Sequence, residues 1–353
     1  MPGLDLRLQG LQEDRVLIGP ESVHLDVTNG CNTNCVTCWD HSPHLRKTRS
    51  AAWKRNRVEA GALIELLDDI RSLGGLKAVI LSGMGEPFTH PDIHQMIAAV
   101  KARGLHLTII TNLIAADPER ILELGVDQLL IGVQGASKES YQAFHPSFQT
   151  DEWERLLAML ERFAEAGRRY KQVQVICRHN AHELVEMVEL AHRTRAHSVN
   201  FKLASLKDGT EAVRVTDSQR SLLAELVPRA VERARELGVD TNLEVFAGQL
   251  AAGGERTADI ARIGCYMGHY YSRVLVDGTV LYCCNVEVRV GKLGRFSELW
   301  NGPEWNALRS RLRRGEYFSG CQQCGKLNQN VKLAARFARA YGEERRREVT
   351  GCR

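Results

Sequence analysis

Three cysteines within eight residues, Cys31, Cys35 and Cys38, form the strongest candidate for a reactive centre in this sequence. Their C-x3-C-x2-C spacing brings three thiolates within reach of one metal centre. Thiolates are the preferred ligands of iron–sulfur clusters, and a cluster of four irons takes four of them. A local set of three would leave one iron free to bind a substrate. A zinc site without its fourth ligand and three unrelated buried cysteines are the alternatives.

A glycine turn is the second candidate, and it directly follows an apolar segment at 77–82. Two glycines around one residue let the backbone come close to a ligand and present its amides and carbonyls. A tight strand-to-helix loop is the alternative. The turn consists of Gly83, Met84, Gly85 and Glu86, with Pro87 after them.

Six short apolar segments, each followed by an amphipathic stretch, predict six strand–helix units. Such units, joined by right-handed crossovers, build a parallel sheet that stays open or curls toward a barrel. In barrels the chemistry gathers at the carboxyl ends of the strands, where both the cysteines and the glycine turn are placed. The predicted strands are 23–27, 77–82, 105–111, 127–134, 173–178 and 199–204.

The cysteine segment 27–39, V-T-N-G-C-N-T-N-C-V-T-C-W, together with the Gly-Met-Gly-Glu-Pro turn, resembles the radical S-adenosylmethionine (SAM) superfamily. The resemblance implies an α/β fold with a partial (β/α)6 barrel of the TIM type over 21–245, after a lead-in at 1–20. It also implies a 4Fe–4S cluster on the three cysteines, whose open iron chelates SAM, and a turn at 83–86 whose carbonyls receive the SAM ammonium group. The reduced cluster would cleave SAM to a 5′-deoxyadenosyl radical that abstracts hydrogen from the substrate.

Polar residues at the ends of other predicted strands are further candidates through this resemblance. Gln134 and Arg178 end the fourth and fifth strands and are expected to contact SAM. For Asn112 and Lys202, binding and simple solvation explain the position equally well. One departure is Thr37, because the family often has an aromatic residue there against the adenine.

A second set of cysteines lies near the C-terminal end of the sequence. The segment 273–282 predicts a hairpin with a two-residue turn at Asp277 and Gly278, which leads into Cys283. A C-x2-C pair follows a helix that is predicted to begin at Pro303. By count alone, four thiolates fit zinc and an iron–sulfur cluster equally well. The set consists of Cys265, Cys283, Cys321 and Cys324.

This arrangement resembles the SPASM or twitch extension of the same superfamily, with Gly278 five residues before Cys283. The resemblance implies one auxiliary 4Fe–4S cluster in a domain at 246–330, since no cysteine follows the C-x2-C until Cys352. A linker is predicted at 247–254 and a helical tail at 331–353. Cys177 is expected to lie in the core. Cys284 is expected not to be a ligand, with an exchange of roles with Cys283 as the alternative, and Cys352 is expected to be a free surface thiol, with a late cluster ligand as the alternative.

Composition limits the other possibilities. The 353 residues suggest about two domains, and a net charge of +4 is too small to indicate nucleic acid. Without a signal sequence or an apolar run of membrane-spanning length, we expect a cytoplasmic protein with reduced thiols. The basic loop 40–57 is hypothesised to lie over the mouth of the barrel and to meet an anionic substrate or an acidic electron donor.

Three functions remain open on this basis. The first is net oxidation or rearrangement of a small molecule, with the auxiliary cluster handling electrons from a flavodoxin or ferredoxin-type partner. The second is a radical SAM maturase of a ribosomally made peptide, which the short N-terminal lead-in disfavours because twenty residues are too few for a peptide-recognition domain. The third is a non-catalytic thiolate protein, which leaves the glycine turn and the six strand–helix units unexplained. The sequence does not specify the substrate.

Overall fold

A computed structural model describes residues 5–253 and 259–352 and arranges them around one sheet of ten strands. The strand order is β10-β9-β8-β1-β2-β3-β4-β5-β6-β7. The strands are β1 (Ser22–Asp26), β2 (Ala78–Ser82), β3 (His106–Thr111), β4 (Gln128–Gly132), β5 (Tyr170–Ile176), β6 (Ser198–Leu203), β7 (Asp240–Thr241), β8 (Tyr271–Val274), β9 (Thr279–Leu281) and β10 (Arg289–Lys292).

Helices follow most of the strands. In the described ranges none of them is long and apolar enough to cross a membrane. They are α1 (Leu6–Glu13), α2 (Ala51–Arg55), α3 (Ala60–Ser72), α4 (Ile93–Ala102), α5 (Pro118–Glu123), α6 (Lys138–Phe144), α7 (Glu152–Glu165), α8 (Leu184–Arg193), α9 (Asp217–Leu237), α10 (Leu243–Ala251), α11 (Ile260–Ile263), α12 (Met267–Tyr270), α13 (Phe296–Asn301), α14 (Pro303–Arg313), α15 (Leu327–Tyr341) and α16 (Glu343–Thr350).

Strands β1 to β7 run parallel to their neighbours and form the partial barrel. All six predicted strands are present, and the α/β fold class is confirmed. The apolar side chains of the strands and of the helices outside them are buried together, as in α4, where Ile93, Met96, Ile97 and Val100 face the core. This packing leaves the loops after the strands free to carry the site.

The C-terminal hairpin extends the barrel sheet, because β8 pairs in parallel with β1. The two-residue turn predicted at Asp277 and Gly278 is wrong. Leu275 N donates to Thr279 O at 2.9 Å, so the hairpin has a three-residue loop that begins at Val276. Gly278 takes a positive φ of 77°, which suits the left-handed residue that closes such a loop.

The predicted linker at 247–254 is also corrected. Residues 247–251 belong to α10, and Gly254 lies outside the described residues. Leu243, Phe246 and Leu250 fall on one face of this helix and are buried. Phe246 packs against Phe201 of β6 with ring centroids 6.1 Å apart. The small residues that suggested a linker lie on the rest of the helix.

A buried ion pair joins the hairpin to the barrel. Arg273 of β8 donates two hydrogen bonds, each 2.8 Å long, to the carboxylate of Asp26 on β1. The side chain of Asp26 is fully buried and that of Arg273 is 13% exposed. Burial raises the pKa of Asp26, and the charge of Arg273 opposes that rise. The pair therefore removes two charges from water at the junction of the two parts of the sheet.

Replacing Arg273 by methionine is expected to lower the free energy of unfolding by about 3 kcal/mol, because it leaves Asp26 buried without a counter-charge. Urea unfolding of the anaerobic protein measures this. The control is Arg103→Met, which removes a bidentate pair with Asp68 whose carboxylate is half exposed. The control is expected to lower the free energy of unfolding by less than about 1 kcal/mol. Equal losses in the two variants would show that the junction does not depend on the buried pair.

Candidate active site

The first cysteine set lies in the loop that follows β1, and all three thiols are half-buried. Burial raises the pKa of Cys31 to about 12, and the nearby Cys38 contributes to the rise. Burial also raises the pKa of Cys35, with contributions from Cys38 and Cys31. The three thiols are thus near enough to influence one another, and their role as cluster ligands stays a prediction.

Backbone amides point at one of these sulfurs. Asp40 N and His41 N donate to Cys38 Sγ at 3.4 and 3.3 Å. Such N–H···S bonds stabilise a thiolate and tune a cluster bound to it. In the ranges 5–253 and 259–352, no three His, Cys, Asp or Glu side chains converge as the ligands of a single metal ion would. The fit to a cluster therefore rests on the nearness of the thiols and on the chemistry of the donors.

The glycine turn packs directly against the start of the cysteine loop. Gly85 N donates to Thr28 O at 3.1 Å, and Glu86 N donates to Gly30 O at 2.8 Å. A Cβ atom on Gly85 would overlap the carbonyl of Gly30, and one on Gly83 would overlap that of Thr28. Both positions therefore need glycine, because the two backbones touch where the loop begins. Met84, between the glycines, is half-buried.

The carboxylate of Glu86 ties the turn to the end of β3. It accepts hydrogen bonds from Thr111 Oγ1 at 2.6 Å, Asn112 N at 2.7 Å and Phe88 N at 3.1 Å. Burial nevertheless raises the pKa of Glu86 to about 7. Asn112 Nδ2 in turn donates to Asn32 Oδ1 at 2.8 Å, inside the cysteine loop. Three loops at the carboxyl ends of β1, β2 and β3 are thus locked into one unit.

The side chains of Gln134 and Arg178 are engaged with the protein. Gln134, which has a φ of 64°, accepts a hydrogen bond from Val175 N at 2.6 Å and so links β4 to β5. Arg178 is exposed and donates to Ala212 O at 3.1 Å. The structure does not bring these two side chains into contact with the cysteine loop. Their role in binding SAM stays a prediction.

The second cysteine set is brought together from three segments. Burial raises the pKa of Cys265, Cys321 and Cys324, and Cys284 is near enough to each of them to add to the rise. The interaction of the adjacent thiols of Cys283 and Cys284 lowers the pKa of Cys284 and raises that of Cys283. Cys284, set aside on sequence grounds, thus lies among the predicted ligands. Sequence analysis could not choose between adjacent cysteines in a loop.

Two cysteines outside both sets are buried. Cys177 is 1% exposed, as predicted. The prediction of a surface thiol at Cys352 is wrong. Its Sγ accepts a hydrogen bond from Arg346 Nη1 at 3.3 Å and lies 2.7 Å from Thr350 Oγ1. Arg346 also donates to Ile263 O at 2.7 Å, so α16 folds back over the segment before the second cysteine set.

A cavity of about 630 Å³ lies between the mouth of the barrel and the second cysteine set. Trp39, which follows Cys38, lines its barrel side and donates from Nε1 to Ser205 O at 2.6 Å. A volume of this size suits a drug-sized molecule. The opposite side is lined by Cys265, Cys283, Cys284, Cys321 and Cys324.

The basic loop 40–57 does not line this cavity. Arg49 pairs with Asp40 at 2.7 Å and its guanidinium lies 5.0 Å from the centre of the Trp53 ring. The loop instead lines a separate depression beside Trp39, together with Asp208. Asn56 O also accepts a hydrogen bond from Asn29 N at 2.9 Å, so the loop contacts the segment that leads into the first cysteine set. Its hypothesised role toward an anionic substrate or an acidic electron donor stays a prediction.

Family comparisons agree with the arrangement of the two cysteine sets. Residues 25–191 match the model of the radical SAM superfamily, and residues 265–325 match that of SPASM, an iron–sulfur cluster-binding domain. The first match contains the three cysteines of the loop and the glycine turn, and the second contains all four predicted auxiliary ligands. A radical SAM domain implies SAM and a 4Fe–4S cluster, and a SPASM domain implies auxiliary iron–sulfur clusters.

Two curated relatives and two solved structures extend these matches. The AdoMet-dependent heme synthase of Methanosarcina barkeri is 23% identical over 348 residues, which cover 91% of this chain and 92% of that protein. The S-adenosyl-L-methionine-dependent tRNA 4-demethylwyosine synthase of Arabidopsis thaliana is 29% identical over 158 residues, which cover 39% of this chain and 24% of that protein.

Among solved structures, SuiB of Streptococcus suis bound to S-adenosylmethionine has a TM-score of 0.64 at 17% identity and covers 92% of this chain and 74% of its own. The anSMEcpe structure with bound AdoMet has a TM-score of 0.61 at 13% identity, over 94% of this chain and 95% of its own. At these identities the likeness concerns the fold. The chain therefore carries a radical SAM domain, followed by a SPASM domain.

Proposed function

We propose that this protein oxidises or rearranges a small molecule held in the cavity between the barrel mouth and the second cysteine set. The observation that carries the proposal is the cavity itself, which Trp39 borders beside the first cysteine set and the second set borders opposite. Cys31, Cys35 and Cys38 would hold a 4Fe–4S cluster, which would supply the electron for reductive cleavage of SAM and so make abstraction of a hydrogen atom from the substrate possible.

The residues of the chain position this chemistry. The cysteine loop is held by the glycine turn and by the end of β3, so its sulfurs cannot drift when SAM binds. Gln134 and Arg178 are proposed to contact SAM where they end their strands. Cys265, Cys283, Cys321 and Cys324 are proposed to hold one auxiliary cluster.

Relatives support a small molecule and leave a peptide as the second candidate. The curated relative aligned over 91% of this chain is named a heme synthase, so its product is a small molecule. SuiB has also been solved bound to its precursor peptide SuiA, with a TM-score of 0.64 to this chain. That structure favours the alternative function, a maturase of a ribosomally made peptide. A flavodoxin or ferredoxin-type protein is proposed as the electron donor.

Replacing Cys321 by serine tests the role of the auxiliary cluster. A cluster whose four irons all have cysteine ligands has no open site, so we expect it to carry electrons. The variant is expected to fall from about eight to about four irons per chain. It is expected to lose substrate turnover while it still cleaves SAM. Iron analysis and 5′-deoxyadenosine production measure the two parts.

Matched variants at adjacent positions sharpen this test. Cys283→Ser is expected to lose iron as Cys321→Ser does, whereas Cys284→Ser is expected to keep it. The reverse pattern would assign Cys284 as the ligand in place of Cys283. If Cys321→Ser lost SAM cleavage together with the iron, the second cysteine set would have a structural role, and its electron-carrying role would be contradicted.

A further inference from the structure

The large cavity carries positive charge on its barrel side. Among the described residues that line it, Glu287 is the one acid, and it already accepts a hydrogen bond from Ser319 Oγ at 3.0 Å. An excess of cations in an enclosed space attracts anions more strongly than the same charges would at an open surface. The cations that line the cavity are Lys202, Lys207, Arg214, Arg220 and Lys326.

One of these cations, Lys326, interacts electrostatically with the second cysteine set. Lys326 lies under the second set, where the charges of Cys284, Cys283 and Cys324 act on its ammonium group. Its Nζ also lies 3.8 Å from the centre of the Tyr271 ring. Lys326 therefore compensates the thiolates of that set. The remaining cations project from β6 and from the segments after it, on the side away from those cysteines.

Lys202 is a cation on this side that lacks a partner among the described residues. It lies near the carboxyl end of β6, opposite Val175 of β5 in the strand register. Among the described residues its ammonium group has no hydrogen bond, ion pair or ring contact. Burial alone lowers its pKa, without the contribution of any neighbouring charge. The residue is nevertheless exposed, and it lines the cavity.

Two of the three neighbouring cations are engaged with the protein. Lys207 Nζ lies 4.0 Å from the centre of the Trp39 ring, and Arg220 Nη1 donates to Leu250 O at 3.5 Å. Arg214 has no side-chain hydrogen bond among the described residues. These groups surround the space in front of Lys202 and add to its field. An anion bound in this space would pair with an ammonium group that has no counter-charge among the described residues.

We propose that the substrate of this cavity carries an anionic oxygen group, a carboxylate or a phosphate, which pairs with Lys202. This inference rests on the proposed function, since it assigns the chemical class of the molecule that the cavity holds. Lys202 acts here as a binding residue that orients the substrate between the two cysteine sets. The neighbouring cations Lys207 and Arg214 favour a substrate with more than one anionic group.

Calorimetric titration of the reconstituted protein with SAM, without reductant, tests this inference. The probes are benzene-1,3,5-tricarboxylate, inorganic tripolyphosphate and the neutral benzene-1,3,5-tricarboxamide. At least one anion is expected to bind, with an affinity that falls as salt is added, and the neutral amide is not. The anion that binds more tightly distinguishes a carboxylate from a phosphate. Because the titration involves no turnover, a failure to bind the anionic probes can be distinguished from a failure to cleave SAM.

Variants locate the effect at Lys202. Lys202→Met is expected to weaken binding of the anionic probe at least about tenfold, as the loss of a charge-assisted hydrogen bond does. Lys202→Arg is expected to stay within about threefold of wild type, since the charge remains. The control Lys171→Met removes a lysine at the amino end of the neighbouring β5 and is expected to bind as wild type. The proposal is overturned if neither anion binds, if the amide binds as tightly, or if Lys202→Met is unaffected.

Discussion

Replacing Gly85 by alanine is expected to reduce SAM cleavage on the order of 100-fold, although residue 85 is not a cluster ligand. The added Cβ would overlap the carbonyl oxygen of Gly30, and backbone atoms cannot move aside as a flexible side chain can. The glycine turn must then move away from the cysteine loop. That movement shifts the turn relative to Cys31, the first of the three sulfurs.

The same substitution is also expected to destabilise the fold by about 1–3 kcal/mol through overpacking. Production of 5′-deoxyadenosine and urea unfolding measure the two effects. The control is Gly61→Ala on α3, where the space around the new Cβ is open. The control is expected to gain about 0.5–1 kcal/mol of stability and to keep full activity. Wild-type cleavage by Gly85→Ala would show that the turn does not position the site.

The elements that the sequence predicted well are those whose signal is local. Each of the six barrel strands is a short apolar run bounded by helical periodicity, and each is present in the sheet. The cysteine spacing and the glycine turn also predicted correctly that both lie after successive strands. The two-residue β7 was missed because Asp240 and Thr241 carry no apolar pattern.

What could not be predicted depends on contacts between distant segments. Nothing near β8 indicates that it pairs with β1, which lies about 250 residues earlier. The glycines at 83 and 85 suggested a close approach to a ligand, whereas the structure shows a close approach to the cysteine loop as well. Cys352 was assigned to the surface because its burial depends on the packing of α16 and the residues after it against Ile263 and Gly264, which are remote in sequence.

The roles of polar residues at strand ends also could not be predicted from the sequence alone. Gln134 was predicted from its position alone, and its side chain proves to complete the contact between β4 and β5. Lys202 was ambiguous in the sequence, since a lysine at a strand end is usually solvated. Only the cavity in front of it, and the absence of a counter-charge among the described residues, distinguish it from a solvated lysine.

The second large effect is expected from the first cysteine set. Without Cys31, Cys35 and Cys38, the loop after β1 offers no thiolates to a cluster, so no electron can reach SAM. The triple alanine variant is expected to keep about four irons on the auxiliary set. Cys177→Ala serves as the control, because Cys177 is a buried cysteine outside both sets and is expected to leave iron content and cleavage unchanged.

The most direct measurement is therefore anaerobic. Wild type, the triple alanine variant and the Cys177→Ala control are reconstituted, supplied with SAM and a strong reductant, and assayed for 5′-deoxyadenosine. The account predicts production by wild type and by the control, and none by the triple variant. Equal production with and without the three cysteines, or a wild-type protein that binds zinc and makes no 5′-deoxyadenosine, would contradict it.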